Sequence, residues 1–139
     1  MIADETYSSI NKRASVIVCE ENKMKYIANN TKFATVYKFK IDGEVIRDKD
    51  QKRCDYLVEN ETSKDAYFVE LKGADIATAY IQIWHTIRYF NNKLDGYGVH
   101  SRIVCSRVST HDVNGSEYRK LKKECADIKK GSRVLQENI

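Results

Sequence analysis

Two short apolar runs separated by a polar stretch, at residues 54–58 and 66–71, limit the fold more than any other feature of this 139-residue sequence. Apolar runs of this length bounded by polar turns predict strands, and the short connection predicts that the two strands pair antiparallel. Symmetric pairing about the loop centre places Val58 opposite Tyr67 and Asp55 opposite Glu70. We therefore expect a sheet in which these two strands are neighbours.

The residues before these runs predict a further strand, preceded by a helical region. Residues 33–40 alternate with a period of two, and Asp42 followed by Gly43 predicts a tight turn that returns through residues 44–46. Residues 14–19 fit either a strand or a buried helix segment, and residues 22–30 are helix-forming. We therefore expect a helical N-terminal region that leads into the sheet.

The residues after the two runs predict a helix, a strand and a second helix. Gly73 ends the strand, and from residue 76 to residue 90 apolar side chains recur at helical spacing, with Asp75 placed to begin the helix. Residues 99–108 predict another strand and residues 116–130 a helix that Ser116 could cap. A short strand or a frayed end is expected after residue 131.

Composition and the missing linkers favour one globular domain over residues 1–139. The chain is 42% hydrophobic and 32% charged, and it contains no proline, no repeat and no glycine-rich linker that would mark a boundary. No apolar run approaches the ~20 residues that a membrane span requires, and residues 1–10 lack a signal pattern. We expect a cytoplasmic α/β protein without membrane contact. The four cysteines have no zinc-site spacing and are expected as free thiols, mostly buried.

The charge is mildly basic and permits contact with nucleic acid. The formal net charge is +4, and basic residues cluster near residue 52, in residues 119–123 and in residues 129–133. Such clusters can neutralise phosphates, although a lysine run on a helix is more often a solvated face. The candidate nucleic-acid contacts are Lys52, Arg53, Lys120 and Lys123.

The predicted pairing of Asp55 with Glu70 creates a chemical conflict that a cation would relieve. Like charges directly opposite one another destabilise an antiparallel pair, whereas Mg²⁺ and Mn²⁺ take carboxylate oxygens as ligands. Strand alternation places Lys72 on the same face, where an ammonium group could position a water or stabilise charge on a phosphate. The backbone carbonyl of Leu71 is a further candidate ligand. The set indicates a metal-dependent enzyme that cleaves phosphodiester bonds.

Asp55 followed by Glu70-Leu71-Lys72 resembles the motif of the PD-(D/E)xK nuclease superfamily, and the likeness extends over about residues 33–108. The resemblance implies a restriction-endonuclease-like αβββαβ core with a central mixed sheet flanked by helices. It also implies a nuclease in which Asp55 and Glu70 bind Mg²⁺ or Mn²⁺ and Lys72 is catalytic. The sequence departs from the motif at Cys54, where the superfamily has proline.

The same resemblance suggests additional site residues and leaves the substrate open. Gln82, on the predicted helix, is similar to a glutamine that lies near the metal site in some members, and Glu20 or Glu21 could supply another acid from a first helix. DNA is favoured over RNA as the substrate, and a homodimer is compatible with cutting both strands. The alternatives are an RNase and a catalytically inactive module that binds nucleic acid or protein.

Overall fold

The structure, a computed structural model, describes residues 1–71, 75–107 and 115–139. These residues form an α/β fold with two mixed β-sheets and two α-helices. In chain order the elements are β1 (Val16–Glu21), β2 (Met24–Asn29), β3 (Val36–Lys40), β4 (Tyr56–Asn60), β5 (Asp65–Leu71), α1 (Ile76–Tyr89), β6 (Gly98–Cys105), α2 (Ser116–Lys122), β7 (Asp127–Ser132) and β8 (Val134–Asn138). Single 3₁₀ turns occur at Glu5–Tyr7 and Asn91–Lys93.

The larger sheet contains five strands in the order β3-β4-β5-β6-β7. β3, β4 and β5 pair antiparallel, and β6 and β7 extend the sheet with parallel pairing. Val58 pairs with Tyr67, so the predicted register of the central hairpin is confirmed. The parallel step from β5 to β6 needs a crossover, and α1 lies within it.

The smaller sheet contains three strands in the order β1-β2-β8 and covers one face of the larger sheet. Successive side chains of β5 belong to two different hydrophobic cores, one on each face of the larger sheet. Phe68 packs with the helices, and Val69 packs with the three-stranded sheet. From one side to the other, the layers are therefore helices, five-stranded sheet and three-stranded sheet. Neither described helix is long and apolar enough to cross a membrane.

The predicted helical N-terminal region is wrong, because residues 16–29 form an antiparallel hairpin. Ile17 and Cys19 on β1, with Tyr26 on β2, alternate toward the core between the sheets. Asn22 and Lys23 connect the strands, both with positive φ, as a two-residue hairpin turn with the right twist requires. The αβββαβ order therefore lacks its first helix, and the finer comparison with a restriction-endonuclease-like core stays a prediction.

The predicted helix over residues 116–130 is too long. α2 ends at Lys122, and residues 127–132 pair with β6 as β7. The basic residues of this segment are compatible with an edge strand, because their side chains reach solvent. Pairing with β6, and not helix propensity, therefore decides the conformation of this segment. Gly115 is the residue before α2, and Ser116 is its first helical residue rather than its cap.

Residues 44–46 do not form the predicted return strand. Asp42 makes only an isolated bridge to Ile46, and Ile46 is buried in the core beside the helices. The predicted strand over residues 99–108 is confirmed as β6, which ends at Cys105; position 108 lies outside the described residues. The short strand expected after residue 131 is β8. All four cysteines are free thiols, and Cys19, Cys54 and Cys105 are buried, as expected.

A buried arginine connects the two sheets. Arg102 on β6 is 2% exposed; its Nε donates to Glu137 of β8 at 2.5 Å and its Nη1 donates to Asp127 of β7 at 2.5 Å. The guanidinium lies 5.4 Å from the Tyr67 ring centre, and the Tyr26 hydroxyl donates to Glu137 at 2.7 Å. One cation therefore links side chains from five strands across the interface between the sheets.

Candidate active site

Asp55 lies immediately before β4, and hydrogen bonds from three elements fix its backbone. The amide of Cys54 donates to Thr86 Oγ1 of α1 at 2.7 Å. The amide of Asp55 donates to the carbonyl oxygen of Val69 on β5 at 3.2 Å, and its carbonyl oxygen accepts from Ile41 at 2.8 Å. The residue is thus held between α1, β5 and the chain that leaves β3.

The side chains of Asp55 and Glu70 each accept a hydrogen bond from a backbone amide on the neighbouring segment of chain. Glu70 Oε1 accepts a hydrogen bond from the Asp55 amide at 3.1 Å, and Asp55 Oδ2 accepts one from the Leu71 amide at 2.8 Å. Asp55 is 9% exposed and Glu70 is 2% exposed. Two carboxyl groups are therefore held side by side in a largely water-free position. The backbone carbonyl of Leu71 as a metal ligand stays a prediction.

Glu21 brings a third acid to this position from the three-stranded sheet. It follows Ile17 and Cys19 on the inward side of β1, at the end of the strand. Burial, together with the charge of Asp55 and a hydrogen bond with it, raises the pKa of Glu21, and the Lys40 ammonium 3.8 Å away opposes this shift. Glu21 therefore lies within direct interaction distance of Asp55.

Glu20 does not join these acids. It is on the opposite side of β1 and approaches Lys25 at 3.9 Å, with both side chains about half exposed. Of the two alternatives considered in the sequence, the structure brings Glu21 to Asp55, and does so from a strand instead of a helix.

Two neutral side chains, Cys19 and Tyr56, lie beside the acids. Burial raises the pKa of the Cys19 thiol to about 12; the charge of Lys38 opposes this shift and the charges of Asp55 and Glu21 add to it. Burial and then the charge of Glu21 raise the pKa of Tyr56 to about 12. Both groups stay neutral at physiological pH, so the local charge is that of the carboxylates and of Lys38 and Lys40. Among residues 1–71, 75–107 and 115–139, no group of three or more His, Cys, Asp or Glu side chains is placed so that it could hold a metal ion.

Lys72, the third residue of the predicted motif, lies outside the described residues. Its catalytic role stays a prediction from the sequence.

Gln82 lies on the face of α1 that meets the segment before Asp55. Its carbonyl accepts from Thr86 Oγ1 at 2.8 Å, the same hydroxyl that accepts from Cys54. Its side-chain oxygen Oε1 is buried and has no hydrogen-bond partner among the described residues. A cavity of about 240 Å³ adjoins it, lined also by Asp42, Lys52 and Arg53. Gln82 therefore presents an acceptor atom that the described residues do not satisfy.

The candidate nucleic-acid contacts divide into two groups. Arg53 holds its own loop together, because its Nε donates to Asp42 at 2.8 Å and its Nη1 donates to the carbonyl oxygens of Asp48 and Gln51. Lys52, Lys120 and Lys123 instead meet at one cavity of about 540 Å³ between α1 and α2. The structure thus brings three of the four predicted basic residues together.

Sequence reasoning did not find the roles of Thr86 and Lys40. Thr86 is fully buried on α1 and anchors Cys54, and a threonine among the apolar positions of an amphipathic helix is the signal that could have indicated a polar contact there. Lys40 faces Glu21 from the end of β3. The predicted alternation of β3 indicated the face on which Lys40 lies, but it could not reveal a partner of Lys40 on another sheet.

Comparison of the chain with protein-family models, curated proteins and solved structures gave no match.

Proposed function

We propose that this protein is a divalent-metal-dependent nuclease that hydrolyses phosphodiester bonds, with DNA favoured over RNA as the substrate. The observation that carries the proposal is the reciprocal attachment of Asp55 and Glu70, which keeps two buried carboxyl groups adjacent. Two such groups repel each other when both are ionised, and burial strengthens the repulsion. A pair held this way gains stability from a bound cation.

Mg²⁺ or Mn²⁺ would be held by Asp55 and Glu70, with Glu21 beside Asp55. The donor set fits these ions, because hard divalent cations bind carboxylate oxygens and retain several waters. Backbone amides occupy one oxygen of Asp55 and one of Glu70, which fixes the orientation of the two groups. When bound, such an ion lowers the pKa of a water molecule and offsets negative charge on a phosphate.

Lys72 and Gln82 would supply the other functional groups of the reaction. Lys72, at the next same-face position after Glu70, would position the attacking water or stabilise the charge that develops on the phosphate. Gln82 would accept a hydrogen bond at Oε1 from that water or from substrate. The low exposure of Asp55 and Glu70 excludes bulk water and so strengthens each electrostatic contact. A homodimer and a cytoplasmic location are compatible with this function and remain part of the proposal.

The test is cleavage of supercoiled, linear and single-stranded DNA and of RNA in the presence of Mn²⁺. We expect Asp55→Asn and Glu70→Gln each to lower the rate by about a hundredfold or more, the scale seen when a group that stabilises transition-state charge is removed. Lys72→Ala should lower the rate similarly. Asp95→Asn, a change at an exposed acid elsewhere, is the matched control and should retain activity.

Three results would contradict the proposal or narrow it. Cleavage that survives both Asp55→Asn and Glu70→Gln would remove the catalytic assignment. Binding to nucleic acid without cleavage of any substrate would identify a non-catalytic binding module. Cleavage of RNA alone would make the protein an RNase.

A further inference from the structure

The cavity between α1 and α2 combines positive charge with aromatic surface. It measures about 540 Å³ and is open to solvent; its charged lining side chains are Lys52, Arg119, Lys120, Lys123 and one acid, Glu117, and Trp84 and His85 also line it. Four of the five charged side chains are positive. Burial and then the charges of Lys52 and Lys120 lower the pKa of His85. The cavity therefore has a positive potential that an anionic ligand would neutralise.

Trp84 forms part of the wall of this cavity. The Lys120 ammonium lies 4.2 Å from the Trp84 ring centre, and the Arg88 guanidinium lies 6.0 Å from it. The ring also packs against the core beneath α1, which fixes its position. A rigid aromatic side chain bordered by cations is the surface on which nucleic-acid strands are held without sequence preference.

Lys52 places the cavity near the candidate active site, because it lines both the large cavity and the smaller one that adjoins Gln82. Cys54, two residues later, is attached to α1, and Asp55 follows directly. Lys52 and Asp55 are three residues apart, and three residues of extended chain span at most about 11 Å.

We propose that the backbone of the substrate strand lies in the α1–α2 cavity and runs past Lys52 toward the acids. The inference rests on the proposed nuclease function and adds to it the path of the substrate. Lys120, Lys123 and Arg119 contact phosphates, and Trp84 lies against the strand. Contacts of this kind are made to the backbone and do not select a sequence.

The test measures binding separately from cleavage. Affinity for a short fluorescein-labelled DNA, single-stranded or duplex, and for RNA of the same sequence is measured by anisotropy in EDTA, where metal-dependent cleavage is absent. We expect the double variant Lys120→Glu/Lys123→Glu to lose about tenfold or more in affinity and to reduce the salt dependence by about 0.7–0.9 per lost phosphate contact. Lys120→Gln/Lys123→Gln should show a smaller loss in the same direction.

The matched control is the double variant Lys12→Glu/Lys32→Glu, which makes the same charge change at exposed positions before β1 and between β2 and β3, and its affinity should equal that of the parent. Trp84 is the only tryptophan, so its fluorescence reports on this cavity alone. We expect its emission to change when oligonucleotide binds to the unmodified protein. The far-UV spectrum of each variant checks that it is folded.

Each outcome decides the proposal. Unchanged affinity in both double variants, or binding that leaves Trp84 emission unaltered, would overturn the assigned path. The same holds if the parent binds none of the oligonucleotides. If binding depends on these lysines but no substrate is cleaved, the nuclease function is refuted and the binding surface is retained. If cleavage occurs and does not depend on these lysines, the nuclease function is retained and the binding surface is refuted.

Discussion

At the scale of single residues, the site depends on carboxyl groups that are held close together in spite of their charge. Asp55 and Glu70 are joined through backbone amides, and Glu21 adds a third acid from another sheet. Fixed like charges in a poorly solvated position are unfavourable in the absence of a counterion. A bound divalent cation is therefore expected to stabilise the arrangement.

Glu21→Gln should change the response of the protein to metal. The substitution removes a charge beside Asp55, so we expect a higher melting temperature than the parent at neutral pH in EDTA. Bound metal stabilises the parent by about 2.7 kcal/mol at a hundred times its dissociation constant, and the variant should show a clearly smaller gain. Thermal unfolding with and without Mn²⁺ measures both effects.

Glu20→Gln is the control, because it makes the same change at the neighbouring residue on the outer face of β1. It should leave the metal-dependent gain as in the parent. Equal gains in the parent and both variants would show that Glu21 takes no part in binding.

The sequence predicted the pairing of Asp55 with Glu70, because two short strands joined by a polar loop allow one symmetric register. It did not distinguish Glu20 from Glu21. That choice depends on which face of a strand points inward, and residues 14–30 were interpreted as helical. The contact between Glu21 and Asp55 also joins two sheets, and no local periodicity reports on such a contact.

At the scale of secondary-structure elements, Arg102 is the connection between the sheets. Burial alone would raise the pKa values of Asp127 and Glu137, but the hydrogen bonds and charge of Arg102, with a hydrogen bond from His100 to Asp127 and one from Tyr26 to Glu137, together outweigh it and lower both. A carboxyl group with a lowered pKa in the folded state adds stability above its ordinary pKa and loses this contribution as the pH falls through the lowered value. The network therefore contributes most near neutral pH.

Arg102→Met should destabilise the protein by about 3 kcal/mol at neutral pH, because it leaves Glu137 and Asp127 without their buried counterion, with only the exposed Lys129 and the His100 ring as other basic partners among the described residues. The loss should shrink as the pH falls and these carboxyl groups become protonated. Denaturant unfolding at neutral and acidic pH measures the difference.

Arg88→Met provides the control, since Arg88 pairs with Glu124 at 3.6 Å at the surface and is half exposed. This variant should lose less than about 1 kcal/mol of unfolding free energy. A similar loss for both variants would show that burial of the Arg102 pair has no special effect.

Two of the strands that sequence reasoning missed depend on distant parts of the chain. β2 pairs with β8 and β7 pairs with β6, whereas β1 takes its hydrogen bonds from β2 across a two-residue turn. Intrinsic preference is weak in such segments, and long-range pairing decides the conformation. The central hairpin and α1 were predicted correctly because their patterns are local.

At the scale of the whole molecule, the turn between β7 and β8 carries the chain from one sheet to the other. Arg133 has a positive φ of 66° there, its amide donates to Cys105, and its carbonyl oxygen accepts from Lys25. A Cβ added at Gly131 would lie 2.8 Å from the carbonyl oxygen of Val134 and 2.9 Å from the Leu135 Cβ. The approach of the two strands thus requires glycine at this position.

Gly131→Ala should destabilise the protein by about 1–3 kcal/mol, since the backbone of β8 must move to accommodate the added methyl group. The amides of β8 should lose hydrogen-exchange protection more than those of β4 and β5. Gly43→Ala is a comparison in which no atom lies within 4 Å of the new Cβ, although φ is +85°. It should cost backbone strain without loosening β8, and equal exchange in the two variants would contradict the steric explanation.

The pairing of β2 with β8 also determines when the site becomes complete during synthesis. The hairpin that carries Asp55 and Glu70 is local and can form as soon as residue 71 has left the ribosome. The sheet that carries Glu21 lacks its third strand until residues 134–138 emerge. We expect the nascent chain to hold two acids early and to gain the third only when residues 134–138 have emerged, so that a nuclease of this design would assemble its acids in two stages.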